Sequence, residues 1–148
     1  MMLRNYIIYI MEKWLTEKKE EINTMSECFF CKCIEKKDYE LENDYAIARF
    51  DDFPVNDGHL EVIPKRHVKD WWKTTLEERI AIFNLLDKAK ELIDERFKPD
   101  GYNIGMNLGE NAGQSIMHLH VHLIPRYNGD VPNPRGGVRG IIPEKQNY

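Results

Sequence analysis

The sequence predicts an α+β domain, an antiparallel sheet with a helix segregated to one face. Three observations carry this. Two short apolar runs, Tyr45–Phe50 and Leu60–Ile63, flank the turn-rich stretch Asp51-Asp52-Phe53-Pro54-Val55-Asn56-Asp57-Gly58, as strands joined by a loop do. From Leu76 to Phe97, apolar residues recur every three or four positions, the stripe of a helix lying on a sheet. And His118-Leu119-His120-Val121-His122-Leu123-Ile124 alternates with the period of a half-buried strand.

In chain order, residues 1–24 differ from the rest of the chain. Tyr6-Ile7-Ile8-Tyr9-Ile10-Met11 is too short to span a bilayer and lacks a small-residue cleavage site. Glu12–Glu21, rich in Lys and Glu with Trp14 and Leu15 among them, reads as a helix. Residues 1–24 are therefore expected to be an extension, helical or poorly packed, with a docked helix or dimer-contact arm as the competing view. Met25 is a candidate natural start, and 25–148 the domain proper. Thr75 can cap the long helix, whose stripe is Ile82, Leu85, Leu86, Ala89, Leu92 and Ile93; Pro99 and Gly101 stop it. Tyr102–Asn107 and Met117–Ile124 complete the strands, with a glycine loop between them. From about residue 127 the tail is rich in Pro and Gly, a loop folded back over the domain. Its Arg135 and Arg139 can reach a polyphosphate or a partner chain, or stay in solvent.

The chain has 148 residues, enough for one core and too few for two ordinary domains. A net charge of −4 carries no footprint of a non-specific nucleic-acid binder, so a phosphate ligand has to be gripped locally. No nucleic-acid or membrane partner is expected. Nothing points to secretion, so the cysteines are expected in a reducing, cytoplasmic setting. Cys28-Phe29-Phe30-Cys31 is half of a metal site, a redox pair, or two unpaired thiols, with Cys33 left over.

If the ladder is a strand, its three imidazoles share one face and Leu119, Val121 and Leu123 take the other. Imidazole changes charge near neutral pH and suits nucleophilic, proton-transfer or metal chemistry. A catalytic metal held by His118, His120 and His122 is one reading. Against it, no Asp or Glu flanks the ladder in sequence to tune such ligands.

Gly109-Glu110-Asn111-Ala112-Gly113-Gln114-Ser115 leads into the ladder, Pro125-Arg126 closes it, and Gly58-His59-Leu60-Glu61-Val62-Ile63-Pro64 lies upstream. From Glu27 to Arg126 the chain resembles the histidine triad (HIT) superfamily of nucleotide-binding hydrolases and transferases. The resemblance implies a HIT-like fold, an antiparallel five-stranded sheet with one long and one short helix on one face, and a homodimer. It implies His120 as nucleophile toward the α-phosphorus of a nucleotide, forming a nucleotidyl-histidine intermediate. His122 would bond the phosphate and the departing oxygen, and His59 would border the phosphate site. Asp51 matches a ribose-binding position and Asn107 a polyphosphate-contacting amide. Gly113, Gln114 and Ser115 can offer N–H and side-chain donors to phosphate oxygens. Phe50 and Phe53 can sandwich a base, or belong to the core.

HIT proteins that carry the Cys pair complete a structural Cys₂His₂ zinc site, which here implies Cys28, Cys31, His67 and His118. His59 is the substitute ligand should His67 point away. The leaving group stays open: dinucleoside polyphosphate hydrolase-like activity is the leading expectation, a nucleoside phosphoramidate hydrolase the alternative. A non-catalytic nucleotide-binding sensor is the alternative outside enzymes.

Overall fold

The computed structural model describes the backbone of residues 2–148 and the side chains of 7–19 and 24–148. Met1, part of the expected extension, lies outside the described residues, as do the side chains of 2–6 and 20–23. Helix α1 (Met2–Glu27) breaks at Cys28, where α2 (Phe29–Lys36) takes over. Then come β1 (Leu41–Glu42), β2 (Ala46–Phe50), β3 (Leu60–Pro64), α3 (Leu76–Phe97), β4 (Gly101–Gly105) and β5 (Val121–Arg126). The strands form one antiparallel sheet in the order β1-β2-β3-β5-β4.

Helix α3 begins where its sequence says it should. Thr75 Oγ1 accepts from the Glu78 N–H at 3.2 Å, and Glu78 Oε2 accepts from the Thr75 N–H at 2.8 Å, a reciprocal cap that satisfies two otherwise orphaned donors. Glu78 also accepts from Arg66 Nε and Nη2, at 2.7 and 2.8 Å, which ties the helix start to the segment after β3. Ile82, Leu85, Leu86, Ala89 and Ile93 then pack against Ala46, Ala48, Leu60, Val62, Leu119, Val121 and Leu123. Each fully buried Leu, Ile or Val here contributes roughly 1.5–3 kcal/mol.

The short helix does not share that face. Phe30 of α2 packs with Ile47 and Ile63, whose side chains alternate with the α3-facing residues of β2 and β3. Helices α2 and α3 therefore cover opposite sides of the sheet, a correction to the expectation that both lie on one. Phe50 belongs to the α3 side, where it is partly buried, packs against the main core and meets the Phe97 ring at 5.9 Å.

The expected strand over Met117–Ile124 is paired only from Val121 onward. Ahead of it, the Leu119 N–H donates to the Val68 carbonyl at 2.7 Å, outside the sheet. The alternation survives: Leu119, Val121 and Leu123 are buried in the core, and the histidines face away from it. Helix α1 leaves Ile7, Tyr9, Met11 and Trp14 about half exposed. No described helix is long and apolar enough to cross a membrane.

Candidate functional site

The face opposite α3 carries a polar row. Register pairs Arg49 with Glu61 and Glu61 with His122, so the row crosses three adjacent strands, β2, β3 and β5. At one end of β3, Gly58 turns the chain in with φ +82°, a backbone region that disfavours side chains. A Cβ there would also come within 2.9 Å of the Phe97 ring. That close approach sets His59 at the strand start, its ring 5.1 Å from that of His122.

The hydrogen bonds fix which nitrogens carry protons. His120 Nδ1 lies 2.9 Å from the His118 carbonyl oxygen, which only accepts, so Nδ1 is protonated and Nε2 of the neutral ring keeps its lone pair. The Val55 N–H donates to His59 Nδ1 at 3.3 Å, which leaves the His59 proton on Nε2. That proton points to His122 Nδ1 at 3.0 Å, and His122 in turn carries its own on Nε2. Burial lowers His59, His120 and His122, the last to about 4, while Asp51 opposes the shift in all three. At neutral pH these rings are uncharged bases. Asp51 Oδ2 stands 3.5 Å from His59 Nδ1 and 3.9 Å from His122 Nδ1, and Oδ1 accepts from the Phe53 N–H at 2.8 Å.

The remaining two histidines form an adjoining cluster with the cysteines. His118 Nε2 donates to the Pro64 carbonyl at 2.8 Å, so Nδ1 turns its lone pair to the thiols, 3.5 Å from Cys28 Sγ and 3.6 Å from Cys31 Sγ. His67 Nδ1 lies 3.3 Å from Cys31 Sγ. One donor from each of Cys28, Cys31, His67 and His118 falls within 4.8 Å of the others. Two sulfurs and two imidazole nitrogens at these separations fit a tetrahedral zinc, with Zn–S near ~2.3 Å and Zn–N near ~2.0 Å. Burial, followed by the neighbouring Cys28, pushes the Cys31 thiol up to about 12, so a thiolate there calls for a cation. Both ring nitrogens of His118 are thus committed elsewhere, and the three ladder histidines do not converge on a single metal position.

Other expected residues divide. Asn107 and Gly113 meet: Gly113 has φ +88°, and a Cβ there would sit 3.8 Å from Asn107 Nδ2. Gln114 is buried and braces the loop, its Oε1 accepting from the Gly109 N–H at 2.8 Å and its Nε2 donating to the carbonyls of Lys69 and Ile116. Its backbone N–H goes to Gly109, and that of Gly113 to Glu110. Neither Gln114 nor the Gly113 amide presents a free donor to a phosphate, contrary to expectation, because the tight turn uses them. Ser115 is exposed and lines a cleft with Cys28, Phe29 and His67. Phe53 is 88% exposed. Arg135 and Arg139 lie over the Tyr148 ring, at 4.8 and 5.1 Å, within the tail.

Two site residues escaped sequence reasoning. Glu61 is buried opposite His122, and Arg49 is buried beside it, bonded to Asp52 at 2.8 Å. Their signal was a lone charge inside each apolar strand, on the alternation phase of the histidine face. Carboxylates do flank the ladder, across strands and not along the chain.

Fold and site together define an α+β domain with paired histidines on the sheet face opposite its long helix. The HIT domain family model matches residues 35–129, and the chain belongs to that family. An uncharacterized HIT-like protein of Mycoplasma genitalium is 40% identical over 110 residues, covering 72% of this chain and 78% of that one. An AP-4-A phosphorylase of Mycobacterium tuberculosis is 42% identical over 87 residues, which cover 58% of this chain and 44% of the phosphorylase. Among solved structures, a HIT family protein from Bacillus anthracis superposes with a TM-score of 0.66 at 38% identity, covering 70% of this chain and 76% of that one. A Zn-bound histidine triad family protein from Mycobacterium smegmatis gives 0.64 at 28% identity, covering 79% and 91%.

Proposed function

We propose that this protein is a nucleotide hydrolase or nucleotidyl transferase that cleaves at an α-phosphate through a covalent nucleotidyl-His120 intermediate. One observation carries the reading: His120 Nδ1 is bonded to the His118 carbonyl, so the free Nε2 lone pair of a neutral imidazole is available for attack. Attack forms the Nε2–P bond as the bond from phosphorus to the leaving oxygen breaks. His122 Nε2–H, oriented from behind by His59, is suited to give that oxygen a proton. Water or another acceptor then resolves the intermediate. Asp51 is the candidate for the ribose hydroxyls, and Asn107 with Ser115 for the phosphate chain.

The phosphorylase relative supports a dinucleoside polyphosphate substrate, with a second nucleotide as leaving group. Cys28, Cys31, His67 and His118 would hold a zinc that stiffens the segment leading to His120, without entering the reaction. Strand β4 is an edge strand of the sheet, the expected seam of a homodimer in a cytoplasmic setting.

The test is direct. Mass spectrometry after rapid quench with diadenosine tetraphosphate should find one nucleotidyl group on the wild type and none on His120→Ala, with kcat lower by several orders of magnitude. Equal rates in the two folded proteins would sink the assignment. Turnover of a phosphoramidate in preference would assign an amine as the leaving group, and binding without any turnover would favour a sensor.

A further inference from the structure

The tail folds back beside the histidines as a strap. Asp130 fastens its root: the carboxylate accepts from Arg126 Nε and Nη2 at 2.7 and 2.8 Å, and from Asn56 Nδ2 at 2.9 Å. The Tyr127 hydroxyl donates to the Asp57 carbonyl at 2.8 Å, a second tie to the loop that leads into His59. Farther on, Gly136 lies so close to Gln146 that a Cβ there would collide with the Gln146 carbonyl. Between this strap and the sheet is a cleft of about 510 Å³, whose walls include Val55, Asn103, Ile124, Pro134 and Gln146.

The cleft adjoins the candidate site. The Val55 N–H holds His59 Nδ1 at 3.3 Å, and Ile124 follows His122 by two residues, on the same face of β5. Ile124 pairs with Asn103 of β4, whereas Asp51 follows β2. In the strand order β1-β2-β3-β5-β4, His59 and His122 therefore stand between Asp51 and the cleft.

Two amides in the cleft each keep one hydrogen-bonding group free. Asn103 Oδ1 accepts from Arg126 Nη1 at 2.7 Å, and Gln146 Nε2 donates to the Arg135 carbonyl at 3.3 Å. Asn103 Nδ2 and Gln146 Oε1 have no hydrogen-bond partner among the described residues. One donor and one acceptor beside the apolar Val55, Ile124 and Pro134 suit a nucleobase, in a volume usual for small-molecule sites. Arg135 and Arg139 are exposed on the same strap, cations that suit the phosphates of a nucleotide.

Resting on the nucleotidyl-transfer reading, we propose that this cleft seats the nucleoside of the leaving nucleotide, with Asn103 and Gln146 as specificity-determining residues. The ribose of the nucleotide kept on His120 sits at Asp51, on the β2 side, so the group that departs past His122 lies on the β4 side. With diadenosine tetraphosphate, the His120 Nε2–P bond forms and the bond from that phosphorus to its bridging oxygen breaks. The oxygen takes the His122 Nε2 proton and leaves as part of ATP. An amine leaving group makes no use of the cleft.

Adenosine 5′-phosphoramidate shares the retained half of diadenosine tetraphosphate and lacks the second nucleoside, so the two substrates separate the cleft from the rest of the site. Asn103→Asp keeps the acceptor for Arg126 and loses the free donor; Gln146→Ala loses the free acceptor. Each should lower kcat/KM for the tetraphosphate by about tenfold more than for the phosphoramidate, chiefly through KM. An equal effect on both substrates, or none on either, overturns the proposal. NMR of the Asn103 and Gln146 side-chain amides in His120→Ala gives a readout without turnover: both should shift with saturating diadenosine tetraphosphate and stay in place with AMP. No shift with the tetraphosphate, or the same shift with AMP, overturns the proposal. The expected shifts together with a wild type that turns over neither substrate retire the hydrolase reading and uphold the cleft as a nucleoside site.

Discussion

Phe30 stands with its ring centre 5.0 Å from that of His120 and 5.9 Å from that of His118, wedged between the two histidine clusters. Fully buried and packed on Ile47 and Ile63, it joins helix α2 to the sheet face where both clusters lie. Phe30→Ala removes that wedge and leaves a cavity. Thermal or denaturant unfolding should report a loss of about 3–5 kcal/mol, with Phe30→Leu costing clearly less. Equal stability of the Ala variant would mean that α2 packs independently of the site.

Asp51 should govern nucleotide affinity. Charge-assisted bonds to two ribose hydroxyls contribute roughly 1.5–3 kcal/mol each. Asp51→Ala is expected to weaken nucleoside monophosphate binding by tenfold or more in calorimetry, and matching affinities would put the ribose elsewhere. Because Asp51 also faces His59 and His122, Asp51→Asn separates its shape from its charge.

Cys28→Ser is expected to lower zinc content and melting temperature together, since metal affinity at a site formed by folding is folding energy. It should slow the chemical step far less than His120→Ala does. Elemental analysis of protein purified without chelators decides the premise: well under one zinc per chain leaves the cysteines as packing residues.

Stability should fall on mild acidification, and His122 is one cause. Its ordinary value is 6.5 and burial holds it to about 4 in the folded chain. Below 6.5 the unfolded chain therefore binds a proton that the folded one does not. This contribution is intact above about pH 6.5 and shrinks as pH drops toward 4, by up to about 1.4 kcal/mol per unit. Denaturant unfolding at about pH 7 and pH 5 should show a smaller difference between the two pH values for His122→Gln than for the wild type.

Much of this protein was legible in its sequence because the signals are local. The Thr75–Glu78 cap, the stripe of α3 and the alternation around His120 each depend on residues a few positions apart. So does the inward phase of Leu119, Val121 and Leu123. The C-x-x-C spacing left half of a metal site, a redox pair and two unpaired thiols all open, and only the family resemblance pointed to His67 and His118.

Tertiary structure decided the rest. Strand register set Glu61 against His122 and Arg49 against Glu61, and no local spacing encodes which strands become neighbours. The proton positions on His59, His120 and His122 depend on backbone groups at Val55 and His118 whose directions exist only once the chain is folded. Gln114 was expected to face a phosphate and instead closes its own loop, since a buried amide must satisfy its donors and acceptor wherever the turn offers partners. Residue type and period determined which chemistry this chain can carry. Burial and pairing determined which of its groups are charged, which are neutral, and which face one another.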